Sequence, residues 1–148
     1  MFIQIAVGSG LLVLNIIIAA VAAMVLEVAF QRWHPWLLRE PHRPKLVLLL
    51  VGVPIWVLGV ITAGVWLWAF AFVELGAFAT LEESVYFALV AYTTLGLGDV
   101  ILPFDWRILS GMAAANGLLN FGLLTALLIE ALRQVRLGQA EHRRRQGS

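Results

Sequence analysis

Three long stretches of this chain are almost wholly apolar, and the polar residues gather between them. The first covers residues 2–28, the second 46–73 and the third 107–132. A helix needs about 20 apolar residues to cross the hydrocarbon core of a bilayer, so each is long enough to be a membrane span. A fourth apolar run, 84–94, is too short to cross. It follows two acids, Glu82 and Glu83, and leads into a Gly-x-Gly-Asp. This order predicts two spans, a short helix over 82–92 that enters the membrane and turns back, and a final span. The fold class is therefore an all-α membrane protein with three transmembrane helices plus a re-entrant helix and loop.

The same pattern divides the chain. Residues 1–30 form an N-terminal transmembrane helix, 31–45 a basic linker, 46–132 a second unit and 133–148 a basic tail. Within the second unit lie an outer helix (46–73), the short helix (82–92), a loop (93–99) and an inner helix (107–132). Pro54 and Gly59 are expected to bend the outer helix, where neighbours can repair a lost hydrogen bond. The first stretch lacks a basic leader and exceeds the length of a cleaved signal, so it reads as a span.

Composition supports this and removes other classes. Of the 148 residues, 61% are hydrophobic and 13% charged, too little charge to cover a soluble domain. No cysteine is present, which excludes disulfides and thiolate metal sites. His34, His42 and His142 show no metal spacing. No nucleotide-binding loop, catalytic triad, nucleic-acid motif or arginine-rich voltage-sensing helix is present, so an enzyme is not expected.

The net charge of +1 conceals an asymmetry. Every Lys and Arg except Arg107 lies in 32–45 or 133–145, whereas Glu74, Glu82, Glu83, Asp99 and Asp105 occupy a region free of both. Basic residues mark cytoplasmic loops. Linker and tail should be cytoplasmic, and the N-terminus and the acidic 74–106 region outside, in a multi-pass protein of the plasma (inner) membrane. Both basic segments suit anionic lipid, and the tail is too short to fold as a ligand-binding domain. Trp33, Trp36, Trp66, Trp68 and Trp106 fit interfacial aromatic belts.

The loop is where the chemistry lies: Tyr92-Thr93-Thr94-Leu95-Gly96-Leu97-Gly98-Asp99-Val100. Backbone carbonyls at membrane depth stay unpaired only where they line a wet cavity. Two glycines one residue apart let successive backbone units alternate in hand, so several carbonyls can point one way. Rings of such carbonyls can replace the water around a dehydrated cation.

Residues 93–99 resemble the potassium-channel signature Thr-Thr-Val-Gly-Tyr-Gly-Asp, with Leu95 and Leu97 in place of valine and tyrosine. The resemblance implies a homotetramer, since the family closes its pore with four filter strands. It implies K+ as the permeant ion, with no organic cofactor. Thr94, Leu95, Gly96, Leu97 and Gly98 would form the ion-binding filter, with carbonyls of the first four facing K+. Thr93 would support it from behind. In the family the filter tyrosine is tethered to the pore helix; here the tethering positions read Phe87 and Ala91. An apolar contact between Leu97 and Phe87 is the expected substitute. Tyr86 stands where its hydroxyl can bond Asp99. The function implied is a passive potassium-selective channel subunit. The lost tether leaves a non-selective cation channel as one alternative, and a non-conducting regulatory subunit is another.

Residues 116–128 resemble the inner helix of small two-span bacterial potassium channels. There the Gly117 position is a gating hinge; close packing is the other reason for a glycine that costs a helix about 1 kcal/mol. Asn120 and Thr125 either face the cavity or bond between helices. Asn15 should bond a neighbouring helix, and Glu27 should be paired or snorkelling. Glu130 is either a gate or a partner of Arg133. Leu127, Leu128 and Ala131 are expected to form a constriction. The first span is expected outside the pore domain, against lipid or a neighbouring subunit.

Overall fold

The computed structural model describes residues 1–37 and 42–146. Helix α1 is Phe2–Leu37, α2 His42–Glu74, α3 Leu81–Tyr92 and α4 Arg107–Gln146, with one 3-10 turn at Phe104–Trp106. Arg39 lies outside the described residues, as do the side chains of Trp33, His34, Trp36, His42, Arg43, Lys45, Ala131, Arg136, His142, Arg143, Arg144 and Arg145.

The described residues are all-α, and three of the helices are long and apolar enough to cross a membrane. Helices run further than the apolar stretches. α1 reaches Leu37, α2 starts at His42, and α4 continues beyond 132 to Gln146. Arg, Gln, Glu and Leu are all good helix formers, so propensity carries the backbone past the end of the apolar pattern. α2 also passes through Pro54 as one helix.

The N-terminal helix packs along α4 of its own chain. Gln4 meets Ile108, Gly8 meets Met112, Asn15 meets Asn120, and Ala19 packs with Leu124. The numbers rise together, so α1 runs parallel to α4 and in contact with it. The expectation put it outside the pore domain, against lipid or a neighbouring subunit; the structure adds a contact with α4 of the same chain. The physical reason is that lipid offers no hydrophobic driving force between helices; small and polar residues bring them together. Gly8 is such a site, since a Cβ there would overlap the Met112 side chain. α2 runs antiparallel to α1, with Trp56 Nε1 donating to the Ala22 carbonyl at 3.3 Å and Val60 packed beside Ala19.

The main core lies between α2, α3 and α4. Trp68 and Phe72 from α2, Phe87 and Tyr92 from α3, and Leu109 and Ala113 from α4 are all buried in it. Trp68 is thus a core residue, which corrects its assignment to an interfacial belt; Trp66, two residues earlier, is exposed. Phe87 stacks edge-on against Phe72 and tilted against Phe78.

Candidate functional site

Helix α3 starts from a Thr-x-x-Glu spacing. Thr80 is its N-cap, and its hydroxyl accepts from the Glu83 N–H at 3.2 Å. Glu82 and Glu83 fill the first turn, where acids favour the helix dipole. Phe87 and Tyr92 then anchor α3 in the core.

The other end of α3 turns sharply into the loop. The Leu95 N–H donates to the Val90 carbonyl at 3.0 Å and the Thr94 N–H to the Ala91 carbonyl at 2.9 Å. That pair of bonds is the Schellman closure, which needs one residue in the left-handed region, most often glycine. Here it is Thr94, with φ +59°. A β-branched residue in that region is an outlier and costs on the order of 1–2 kcal/mol.

The left-handed residues then repeat. Gly96 has φ +58° and Gly98 φ +77°, while Leu95 and Leu97 have negative φ. Every second residue from 94 to 98 is left-handed, so the peptide units alternate in hand along the loop. Thr93 stays with the helix: its hydroxyl donates to the Leu89 carbonyl at 2.8 Å. Leu97 is 60% exposed and lies outside the cluster that holds Phe87. A hollow of about 390 Å³ lies beside Phe87, lined by Phe87, Val90 and Ala91 and by Gly96 and Gly98.

At the C-terminal end of the loop, the Tyr86 hydroxyl donates to Asp99 Oδ2 at 2.5 Å. This bond, helped by the Asp99 and Val100 N–H groups, holds the Asp99 carboxyl below its ordinary range. The same bond pushes the Tyr86 hydroxyl upward.

Beneath the loop, polar groups meet in a dry interior. Asn120 Nδ2 donates to Asn15 Oδ1 at 2.9 Å and to the Tyr92 hydroxyl. Asn120 therefore bonds between helices rather than standing free toward a cavity, whereas Thr125 is exposed. The Asn116 side chain is buried with no hydrogen-bond partner among the described residues. Gly117 lies directly against Tyr92, where a Cβ would overlap the Tyr92 carbonyl oxygen. α4 runs unbroken through Gly117, where the missing side chain admits the close approach of Tyr92.

Leu127 packs with Ala19, Val60 and Leu124, and Leu128 with Val53, Leu26 and Phe30. Both pack toward α1 and α2, since α1 lies along that side of α4. The exposed positions of α4, among them Leu118, Gly122, Thr125 and Ile129, lie on the opposite side. Glu130 pairs with Arg133 at 3.6 Å in the open, and Glu27 accepts from Gln31.

A protein-family model described as an ion channel matches residues 55–134, more than half of the chain. The chain belongs to the ion-channel family. No curated protein and no solved structure matches it. The matched part of this channel runs from the middle of α2 through α3 and the loop into α4, so α1 lies outside it.

Sequence reasoning missed three working residues of the channel. Thr80 was readable from its Thr-x-x-Glu spacing. Gln4 accepts from the Ile108 N–H at 3.2 Å and so caps α4 from another helix, which no local pattern signals. Tyr92 looked like the start of a motif, yet its hydroxyl sits at the meeting point of four helices.

Proposed function

We propose that this channel is a potassium-selective pore formed by four copies of the chain, conducting K+ passively through carbonyl rings of residues 94–98. The observation that carries the reading is the alternation in backbone hand at Thr94, Gly96 and Gly98 directly after a re-entrant helix. Alternation lets successive carbonyls share one side of the strand, and four such strands make stacked rings that replace an ion's water. Thr94, Leu95, Gly96 and Leu97 supply the carbonyls, and the Thr94 hydroxyl adds the innermost ring. The C-terminal end of α3 carries partial negative charge toward the cavity below, which favours a cation there.

The loop enters from outside, and the basic linker and tail lie on the cytoplasmic side of the plasma membrane, facing anionic lipid. The parallel pairing of α1 with α4 supports this, since it puts the N-terminal end beside the start of α4.

A second reading, a non-selective cation pore, is favoured by one observation. The Leu97 side chain is 60% exposed and carries no polar group that could hydrogen-bond to α3. The reversal potential of the purified protein in a planar bilayer, K+ on one side and Na+ on the other, separates the two. A value close to the K+ equilibrium potential is expected; current reversing near zero would overturn selectivity.

A further inference from the structure

We propose that Asn15 of α1 is a positioning residue for the filter, acting through Asn120 on Tyr92, so that the N-terminal helix is part of the permeation apparatus. This rests on the channel reading above.

Tyr92 is the last residue of α3, and the filter begins two residues later. It is held at both of its polar ends. Its hydroxyl receives the Asn120 amide, and its carbonyl rests on the backbone of Gly117, one turn earlier on the same face of α4. Any shift of α4 therefore pulls on the base of the filter. Asn120 uses its second N–H on Asn15. Asn15 and Tyr92 are fully buried and Asn120 is 1% exposed, so no water replaces a lost partner. Gly64 of α2 completes the site: a Cβ there would strike the Tyr92 hydroxyl, so only glycine lets the ring reach the asparagines. One hydroxyl thus joins four helices. α1 also caps α4 through Gln4, which ties the two helices together at a second level. Holding α4 in register by α1 fixes where Tyr92, and hence Thr94, can sit.

The test uses the full chain in liposomes and planar bilayers, comparing wild type, Asn15→Leu, Asn15→Gln and Ala19→Gly. Leucine keeps the volume and removes the bond. Asn15→Leu is expected to change the K+/Na+ permeability ratio or the open probability by roughly three- to twenty-fold, the range that interhelical hydrogen bonds in membranes carry. Asn15→Gln should recover part of the change. Ala19→Gly loosens the same helix contact without touching the polar chain, and should lower the unfolding temperature while leaving permeation alone. If Asn15→Leu fails to fold, Tyr92→Phe carries the same expectation, because it removes only the hydroxyl. Wild-type current with unaltered permeation in these variants overturns this proposal alone. Absence of any wild-type cation current overturns the channel reading and this proposal with it.

Discussion

Helices α2 and α3 end in the same way. At the end of α2 the Ala77 N–H reaches the Phe72 carbonyl and the Gly76 N–H the Val73 carbonyl, with Gly76 left-handed at φ +63°. At the end of α3 the same two bonds form, with Thr94 at φ +59° in the glycine's place. Glycine enters that region freely, and threonine does not. One closure is therefore relaxed and the other strained, although their hydrogen bonds are alike. Strain of this kind persists where its surroundings enforce it, and it gathers at functional sites. Both residues are exposed, but Gly76 is a turn with open space around it, whereas Thr94 follows Tyr92, which is held by Asn120 and Gly117.

The largest effect should come from Gly117→Ala, which strikes the backbone that enforces the strained closure. A packing role predicts a loss of about 3 kcal/mol, the upper end for overpacking. A pure hinge role predicts the opposite sign, a gain of about 1 kcal/mol from helix propensity. Thermal unfolding in detergent decides between them.

Next comes the relaxed turn. Gly76→Thr should destabilise the fold by about 1–2 kcal/mol, the cost of a side chain in the left-handed region. Its reversal potential should match wild type. The mirror substitution, Thr94→Gly, should leave stability unchanged or raise it by up to about 1 kcal/mol, because the same strain is relieved. Its K+/Na+ permeability ratio should nevertheless fall, since an oxygen ring is lost. A Thr94→Gly channel with wild-type selectivity would show that the strained threonine serves only to end a helix.

The smallest effect on stability is expected at the C-terminal end of the loop, where Tyr86 and Asp99 are bonded in the open. Asp99 has a depressed carboxyl, so the contribution of its charged form is present above the ordinary aspartate range and lost only as pH falls through the lower folded value. Tyr86→Phe removes the principal cause of that depression. Acid inhibition from the filter side should then set in at higher pH than in wild type, read as current against pH on that side.

Much of this was legible beforehand because it rests on one-dimensional rules. Apolar length determines spans, a Gly-x-Gly permits alternation in hand, and Tyr86 lies near enough along α3 and the loop for Asp99 to be reached. The start of α3 was equally local, with acids in the first turn and Thr80 at the cap. Trp68 was misread because a tryptophan near a span end has the same sequence signature whether it faces headgroups or core.

What the sequence determined by itself was the three helices of membrane-spanning length, the short helix between the last two and the backbone freedom of the loop, all properties of residues close together in the chain. The tertiary structure alone decided that α1 lies along α4, that Gly117 lies against Tyr92, and that Leu127 and Leu128 turn toward α1 and α2. Those choices depend on pairs more than 20 residues apart, such as Asn15 with Asn120 and Gly64 with Tyr92. In a membrane, apolarity does not distinguish a face against lipid from a face against protein. Only close approach and paired polar groups do so, and both become visible when the helices are assembled.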